Sequence, residues 1–333
     1  EEKGKKGRID YTLLLIVVLL VVIGLVILYS TSAYNGQVKF HDSFYYLKKQ
    51  AFATVLGNVL MLFVAGMDYH IWQRLAVFGY LAAVALSVAV MLFGREINGS
   101  KRWLALGPFS FQPSEFAKVA LILFLADLVT KNVKTIGKMW TLCRIMFWIL
   151  PIVGLVGASN LSTAIIILGI GVILIFVASP KYAQFAMMGI AGACFMGIFL
   201  ALESYRLERL AIWRNPEKYE KGYQTLQGLY AIGSGGVFGV GIGNSVQKLG
   251  FVPEAQNDMI FSIICEELGL AGAGIIVFLF LLLIWRFFLI ASGSRDLFGA
   301  LIATGAMAHM MIQIILNIAD DTPSEDTSGS HYI

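Results

Sequence analysis

Charge is scarce in this chain of 333 residues: 14% of its residues are Asp, Glu, Lys or Arg, against 58% hydrophobic. A soluble domain carries about 25% charged residues, so the composition excludes a water-soluble globule and indicates an integral membrane protein. Alternation of apolar and polar residues is also missing. The apolar runs are continuous and of helix length, which argues against an outer-membrane barrel and for a helical bundle. The three cysteines, Cys143, Cys194 and Cys265, lie in or beside apolar segments without metal-ligand spacing. They read as packing residues. The net charge of +4 is modest, and its basic residues cluster in short loops. That is an orientation signal and not a nucleic-acid footprint. There is no internal repeat, no low-complexity tract and no signal-peptide cleavage pattern after the first apolar run, so that run is kept as a span.

Nine apolar segments are present, at about 11–32, 51–67, 75–93, 114–130, 145–158, 161–179, 183–202, 258–290 and 298–319. A span needs about 20 residues, so the expected fold is all-α, a polytopic transmembrane helical bundle. Lys3, Lys5, Lys6 and Arg8 precede the first span. Lys131, Lys134, Lys138 and Arg144 follow the fourth, and Arg286 and Arg295 flank the turn after the eighth. A cytoplasmic N-terminal tail (1–10) puts all three clusters inside, as the positive-inside rule asks. The loops 33–50, 94–113 and 203–257 then lie outside. The last, between spans seven and eight, is too long for a passive connection. Residues 320–333 form a polar, acidic tail that reads as disordered or foreign to the transmembrane domain 11–319.

Several motifs carry chemistry. Asp258 opens an apolar helix after the longest polar loop, and intramembrane acids are functional candidates by default. Its bland alternative is a charge that complements the helix macrodipole. Ser262 and Glu266 follow at i+4 and i+8, on the same face. Glu266 then lies about 12 Å deeper, out of reach of an atom held by Asp258. Lys101 and Arg102 sit in a loop rich in turn formers and aromatics. They suit a phosphate-bearing headgroup or, more simply, snorkel at a helix end. Trp103 reads as an interface anchor. Pro113 fits the first turn of the fourth span. Glu115 and Lys118 share a face as i and i+3, either as a structural ion pair or beside an active site. Asn160-Leu-Ser-Thr163 reads as a polar interruption between the fifth and sixth spans. The run Gly233-Ser-Gly-Gly-Val-Phe-Gly-Val-Gly-Ile-Gly243 fits neither P-loop nor dinucleotide spacing. It reads as close backbone approach to a ligand or another helix, with Lys248 just after it.

Taken together, these residues resemble the SEDS family (shape, elongation, division and sporulation), whose members include RodA and FtsW. The resemblance rests on Tyr29-Ser-Thr-Ser-Ala33, Asn98-Gly-Ser100 with Arg102-Trp103, Phe111-Gln-Pro-Ser-Glu-Phe116 with Lys118, Gly222-Tyr-Gln-Thr-Leu-Gln227, Gly235-Gly236, and Pro253-Glu-Ala255 with Asp258 and Glu266-Glu-Leu-Gly269. These occur in the family's order between residue 11 and about residue 319. The chain departs from the family at Asn160, where members usually carry an aspartate. It also shows nine spans where the family pattern implies ten.

The resemblance implies a peptidoglycan glycosyltransferase that polymerises lipid II at the outer face of the bacterial cytoplasmic membrane. Asp258 is then the expected catalytic base. Lys101, Arg102, Lys248 and Glu254 are expected to bind substrate, and Glu115, Lys118, Ser262 and Glu266 to support the site. A divalent cation, Mg or Mn, is an open possibility, with Asp258 its candidate ligand. Expected partners are lipid II, undecaprenyl pyrophosphate, a class B penicillin-binding protein (the transpeptidase), divisome or elongasome proteins and membrane lipids, with no nucleic acid. The segment Phe40-His-Asp-Ser-Phe-Tyr-Tyr-Leu-Lys-Lys-Gln50 leans toward a division or sporulation member. A lipid II flippase and a non-catalytic division scaffold are the alternatives from other classes.

Overall fold

The computed structural model describes residues 9–97, 100–106, 109–179, 181–185, 189, 218, 222–252, 255–257 and 259–321. Its elements run α1 (Tyr11–Phe40), α2 (Tyr45–Ala65), α3 (His70–Phe93), β1 (Arg95–Ile97), β2 (Ser100–Leu106), β3 (Phe109–Phe111), α4 (Pro113–Asn132), α5 (Met139–Gly157) and α6 (Leu161–Ala178). Then come α7 (Tyr223–Gly235), a single 3₁₀ turn (Gln247–Leu249), α8 (Ile260–Ser292) and α9 (Leu297–Asp321).

Seven of these helices, α1, α2, α3, α5, α6, α8 and α9, are long and apolar enough to cross a membrane. Helix α4 has the length, 20 residues, but carries Glu115, Lys118, Asp127 and Lys131. Its charges are tolerated because it is buried in protein along most of its length and they are paired: Lys118 with Glu115 at 2.9 Å, and Lys131 with Asp127 at 2.6 Å. The apolar segment expected at 183–202 lies almost wholly outside the described residues, as do residues 1–8 and 322–333.

Two local expectations are corrected. The first helix does not stop near residue 32 but continues to Phe40, where His41 takes a left-handed conformation and its N–H closes on the Gln37 carbonyl at 3.1 Å. At the other end the Asp10 carboxylate caps the helix by accepting from the Leu13 N–H at 2.9 Å. Second, the fold is not purely helical: residues 95–111 form a three-stranded antiparallel meander, ordered β1-β2-β3. Glu96 pairs with Lys101, and Leu104 with Phe111. The dipeptide Asn98-Gly99 is the favoured sequence for a two-residue hairpin, and Gly107-Pro108 supplies a second turn signal.

The chain divides into two compact units. The first comprises residues 1–65, 192–283 and 314–333. Its core joins Ile27 of α1 to Ile264, Cys265, Ala273 and Ile276 of α8. A second cluster joins Ala231 of α7 to Val252, Ala255, Met259 and Ile263. Helix α2 belongs to this unit and buries none of its residues.

The second unit comprises residues 66–191 and 284–313. Helix α4 is its axis, with Leu121, Leu125 and Val129 fully buried. Tyr80 of α3 stacks on Phe124 at 4.4 Å and donates its hydroxyl to the Trp148 carbonyl of α5 at 2.8 Å. The bare face of Gly171 on α6 admits the Ile149 side chain of α5. At the turns of this unit the Tyr69 hydroxyl donates to Asp296. That hydrogen bond pushes the phenol up to about 12. Nearby, the His70 backbone N–H donates to the Asp68 carboxylate at 3.0 Å and the His70 ring bonds it at 2.7 Å, and these bonds hold that carboxyl below the usual range.

Candidate functional site

Helix α8 is broken inside its apolar length. Gly269 has φ 67° and ψ −174°, outside the helical region. A break there orphans the carbonyls of Glu266 and Glu267 and the N–H groups of Leu270 and Ala271, which would pair as i and i+4 in an unbroken helix. The glycine-rich segment supplies all four partners. Val240 N–H donates to the Glu266 carbonyl at 2.9 Å and Gly241 N–H to the Glu267 carbonyl at 3.0 Å. Leu270 N–H donates to the Gly236 carbonyl and Ala271 N–H to the Val237 carbonyl, both at 3.0 Å. Irregular backbone at membrane depth survives only when satisfied in this way. The glycines make the approach possible, because a Cβ on Gly239 would fall on the Glu267 carbonyl and one on Gly269 would fall on the backbone of Val237 and Gly239. The expected close approach to another helix is therefore what the structure shows.

The break sets the two acids beside a buried lysine. The Lys248 Nζ is 2.6 Å from Glu267 Oε1 and donates to the Ser30 hydroxyl at 3.0 Å. Ser30 in turn lies 2.7 Å from both Glu267 oxygens. The side chains of Lys248 and Glu267 are only 7% and 3% exposed. Glu266 is equally buried and accepts from the Ser245 hydroxyl and from the backbone N–H groups of Val246 (3.0 Å) and Gln247 (3.5 Å). Ser245 Oγ also accepts from the Lys248 N–H at 3.2 Å. Further along the loop, Asn35 of α1 donates to Gln256 at 3.0 Å. Ser262 is fully buried on α8. Asp258 and Glu254 lie outside the described residues. By sequence Asp258 falls between Lys248 and Glu267, the two partners of the buried ion pair.

The second unit holds the other expected residues. Lys101 and Arg102 are exposed on β2, and Arg102 Nε donates to the Ser159 carbonyl at 3.0 Å. The guanidinium helps line a small recess with Gln112, Ser114, Ser159 and Asn160. Asn160 is the N-cap of α6 and accepts from the Thr163 N–H at 3.2 Å. Lys118 is 1% exposed and holds Glu115, itself 52% exposed, at 2.9 Å. Its ammonium also donates to Gln313 of α9 at 3.4 Å. On the same helix the buried His309 Nε2 has no hydrogen-bond partner.

The sequence reading grouped Lys248 with Lys101 and Arg102 as cations for substrate. Lys101 and Arg102 belong to the second unit and have exposed side chains; the Lys248 ammonium belongs to the first and is buried on Glu267. The sequence reading gave no role to Ser30, Ser245 or His309, and noted Glu267 only beside Glu266. The doublet Glu266-Glu267 inside an apolar run was the available signal, because two such carboxylates demand donors. Among the described residues no group of three or more His, Cys, Asp and Glu is arranged to hold a metal ion.

Helices of spanning length, one broken and rejoined by a glycine-rich strap, define a polytopic membrane protein with a polar site built into its helices. Residues 11–322 match the FtsW, RodA and SpoVE family, described as Cell cycle protein, and the chain belongs to that family. Stage V sporulation protein E of Bacillus subtilis (strain 168) is 37% identical over 327 residues, covering 94% of this chain and 87% of that protein. The probable peptidoglycan glycosyltransferase FtsW of Trichlorobacter lovleyi is 33% identical, covering 96% and 86% respectively. Among solved structures, a chain from a peptidoglycan synthase complex, reported for the structural coordination of polymerization and crosslinking, has a TM-score of 0.79 at 26% identity. It covers 95% of this chain and 89% of its own. The rod shape determining protein RodA of Thermus thermophilus has a TM-score of 0.66 at 26% identity, covering 93% and 84%.

Proposed function

We propose that this protein is a peptidoglycan glycosyltransferase that polymerises lipid II into glycan strands at the outer face of the bacterial cytoplasmic membrane, with its N-terminus inside. The observation that carries this reading is the match along nearly the whole chain to a protein named for that activity, at 33% identity. In the reaction the C4 hydroxyl of an acceptor GlcNAc attacks the anomeric carbon of a donor MurNAc. A C–O bond forms there and the bond to undecaprenyl pyrophosphate breaks. Asp258 takes the hydroxyl proton, a role worth about 10²–10⁴-fold in rate. Lys101 and Arg102 meet the negative charge that develops on the leaving pyrophosphate, and Glu254 contributes to substrate binding. A divalent cation at Asp258 would add Lewis-acid stabilisation of that charge.

The partner is a class B penicillin-binding protein that crosslinks the nascent strands, within a divisome, elongasome or sporulation assembly. The likeness to a synthase complex coordinating polymerization with crosslinking supports this. The relative at 37% identity is a sporulation protein, which favours the division or sporulation branch.

The broken helix α8 favours one competing reading, a lipid II transporter, because discontinuous helices are a transporter device. Reconstitution with labelled lipid II separates the two. Glycan polymer formed by the purified protein with its cognate transpeptidase supports the transferase. Translocation of lipid II across the bilayer without polymer supports the transporter.

A further inference from the structure

On the transferase reading, we propose that Ser30, Lys248 and Glu267 are positioning residues for the catalytic base, clamping both ends of the segment that carries Asp258. The segment leaves the 3₁₀ turn at Lys248 and returns as α8, and its two ends are locked by the Lys248–Glu267 ion pair at 2.6 Å. The Ser30 hydroxyl bridges the pair from α1. A third tether, Asn35 to Gln256 at 3.0 Å, grips the segment two residues before Asp258 from the same helix. Below the clamp, the glycine-rich strap fixes Glu266 and Glu267 by their carbonyls, so the carboxylates cannot slide along the helix. With its side chain 7% exposed, the Lys248 ammonium presents almost no surface to a pyrophosphate. Its charge is directed into the protein, where it holds the loop.

A buried pair gives a distinctive mutational signature. Removing one partner strands a charge, whereas removing both leaves none. Four variants test the clamp: Lys248→Met, Glu267→Gln, the double Lys248→Met/Glu267→Gln, and Ser30→Ala, which keeps the ion pair and removes only the bridge. Each is purified with the transpeptidase. The readouts are kcat and KM for lipid II, and amide hydrogen exchange of residues 249–257.

Each charge variant should lose at least about tenfold in kcat, with KM changed by less than about twofold. Exchange in 249–257 should quicken in each. Ser30→Ala should lose about threefold in kcat. The double variant should stay low in kcat and quick in exchange, because it strands no charge yet still lacks the lock. The proposal is overturned if the double variant regains native kcat and protection, the pair then being only a charge balance, or if KM rises in the Lys248 variants while exchange is unchanged; Lys248 then contacts substrate. If the native protein makes no polymer, the transferase reading fails, and exchange alone decides the clamp. Quickened exchange in the single variants and in the double sustains it; unchanged exchange removes it.

Discussion

The strap in the break of α8 can be tested by adding a single methyl group. Gly239 has φ +78°, and a Cβ there would overlap the Glu267 carbonyl, a backbone atom that cannot swing aside. An alanine in a left-handed conformation costs about 1 kcal/mol before any clash. Relieving the clash requires the strap to retreat from α8. The bonds Val240 to Glu266 (2.9 Å) and Gly241 to Glu267 (3.0 Å) then stretch toward breaking. Each of the two bonds lost costs about 1–3 kcal/mol, so Gly239→Ala should destabilise by about 3–7 kcal/mol. That corresponds to a melting temperature lower by at least about 5 °C. Gly233→Ala is the control. Gly233 lies inside α7, its added Cβ would meet nothing within 4 Å, and alanine is favoured over glycine in a helix by about 1 kcal/mol. Thermal unfolding of the purified protein in detergent reads both. If Gly239→Ala melts with the native protein, the strap does not hold the broken helix and the reasoning fails.

Other expectations follow the same logic. Glu115→Gln leaves the Lys118 ammonium, 1% exposed, with Gln313 at 3.4 Å, and should destabilise by about 1–3 kcal/mol, the figure being reduced because Glu115 is half exposed. Lys118→Met/Glu115→Gln should recover most of this loss in the same melt, and a double variant no better than the single contradicts the pairing. At the turns, Tyr69 is pushed from 10.0 up to about 12 by its hydrogen bond to Asp296. A folded-state pKa above the unfolded one means the contact stabilises fully below pH 10 and is lost as pH rises through about 12. Asp296→Asn should let Tyr69 ionise closer to 10, read as the phenolate absorbance that Tyr69→Phe removes. An unchanged titration would show that the hydrogen bond does not set it.

Periodicity and length made the helices legible. Leu161–Ala178 and Ile260–Ser292 fall within two residues of the segments read from hydrophobicity. Polarity misled at the ends of helices. Tyr34 to Phe40 and Met139 to Arg144 looked like loop because span length and charge marked them, yet hydrogen bonding continues the helices through both stretches. The meander at 95–111 was missed although Asn98-Gly99 is a hairpin dipeptide, because its strands are short and lie among cations read for chemistry. For the site, sequence singled out Lys248 and Glu266 but not what they touch. The Lys248–Glu267–Ser30 contact joins residues 218 positions apart, and no local pattern reports it. Gly269 was recorded only as part of a motif. That it breaks α8 follows from the strap's approach, which is a tertiary fact.

The central claim is that the chemistry is glycosyl transfer with Asp258 as its base. Its most direct test is polymerisation of labelled lipid II by the protein with its cognate penicillin-binding protein, class A enzymes being blocked. Native protein is compared with Asp258→Ala and Asp258→Asn after all three are shown to fold and bind the partner. The account predicts glycan polymer from the native protein and a rate lower by about 10²–10⁴-fold from both variants. Equal polymer from the variants would remove Asp258 as the base, and no polymer from the native protein would contradict the transferase itself.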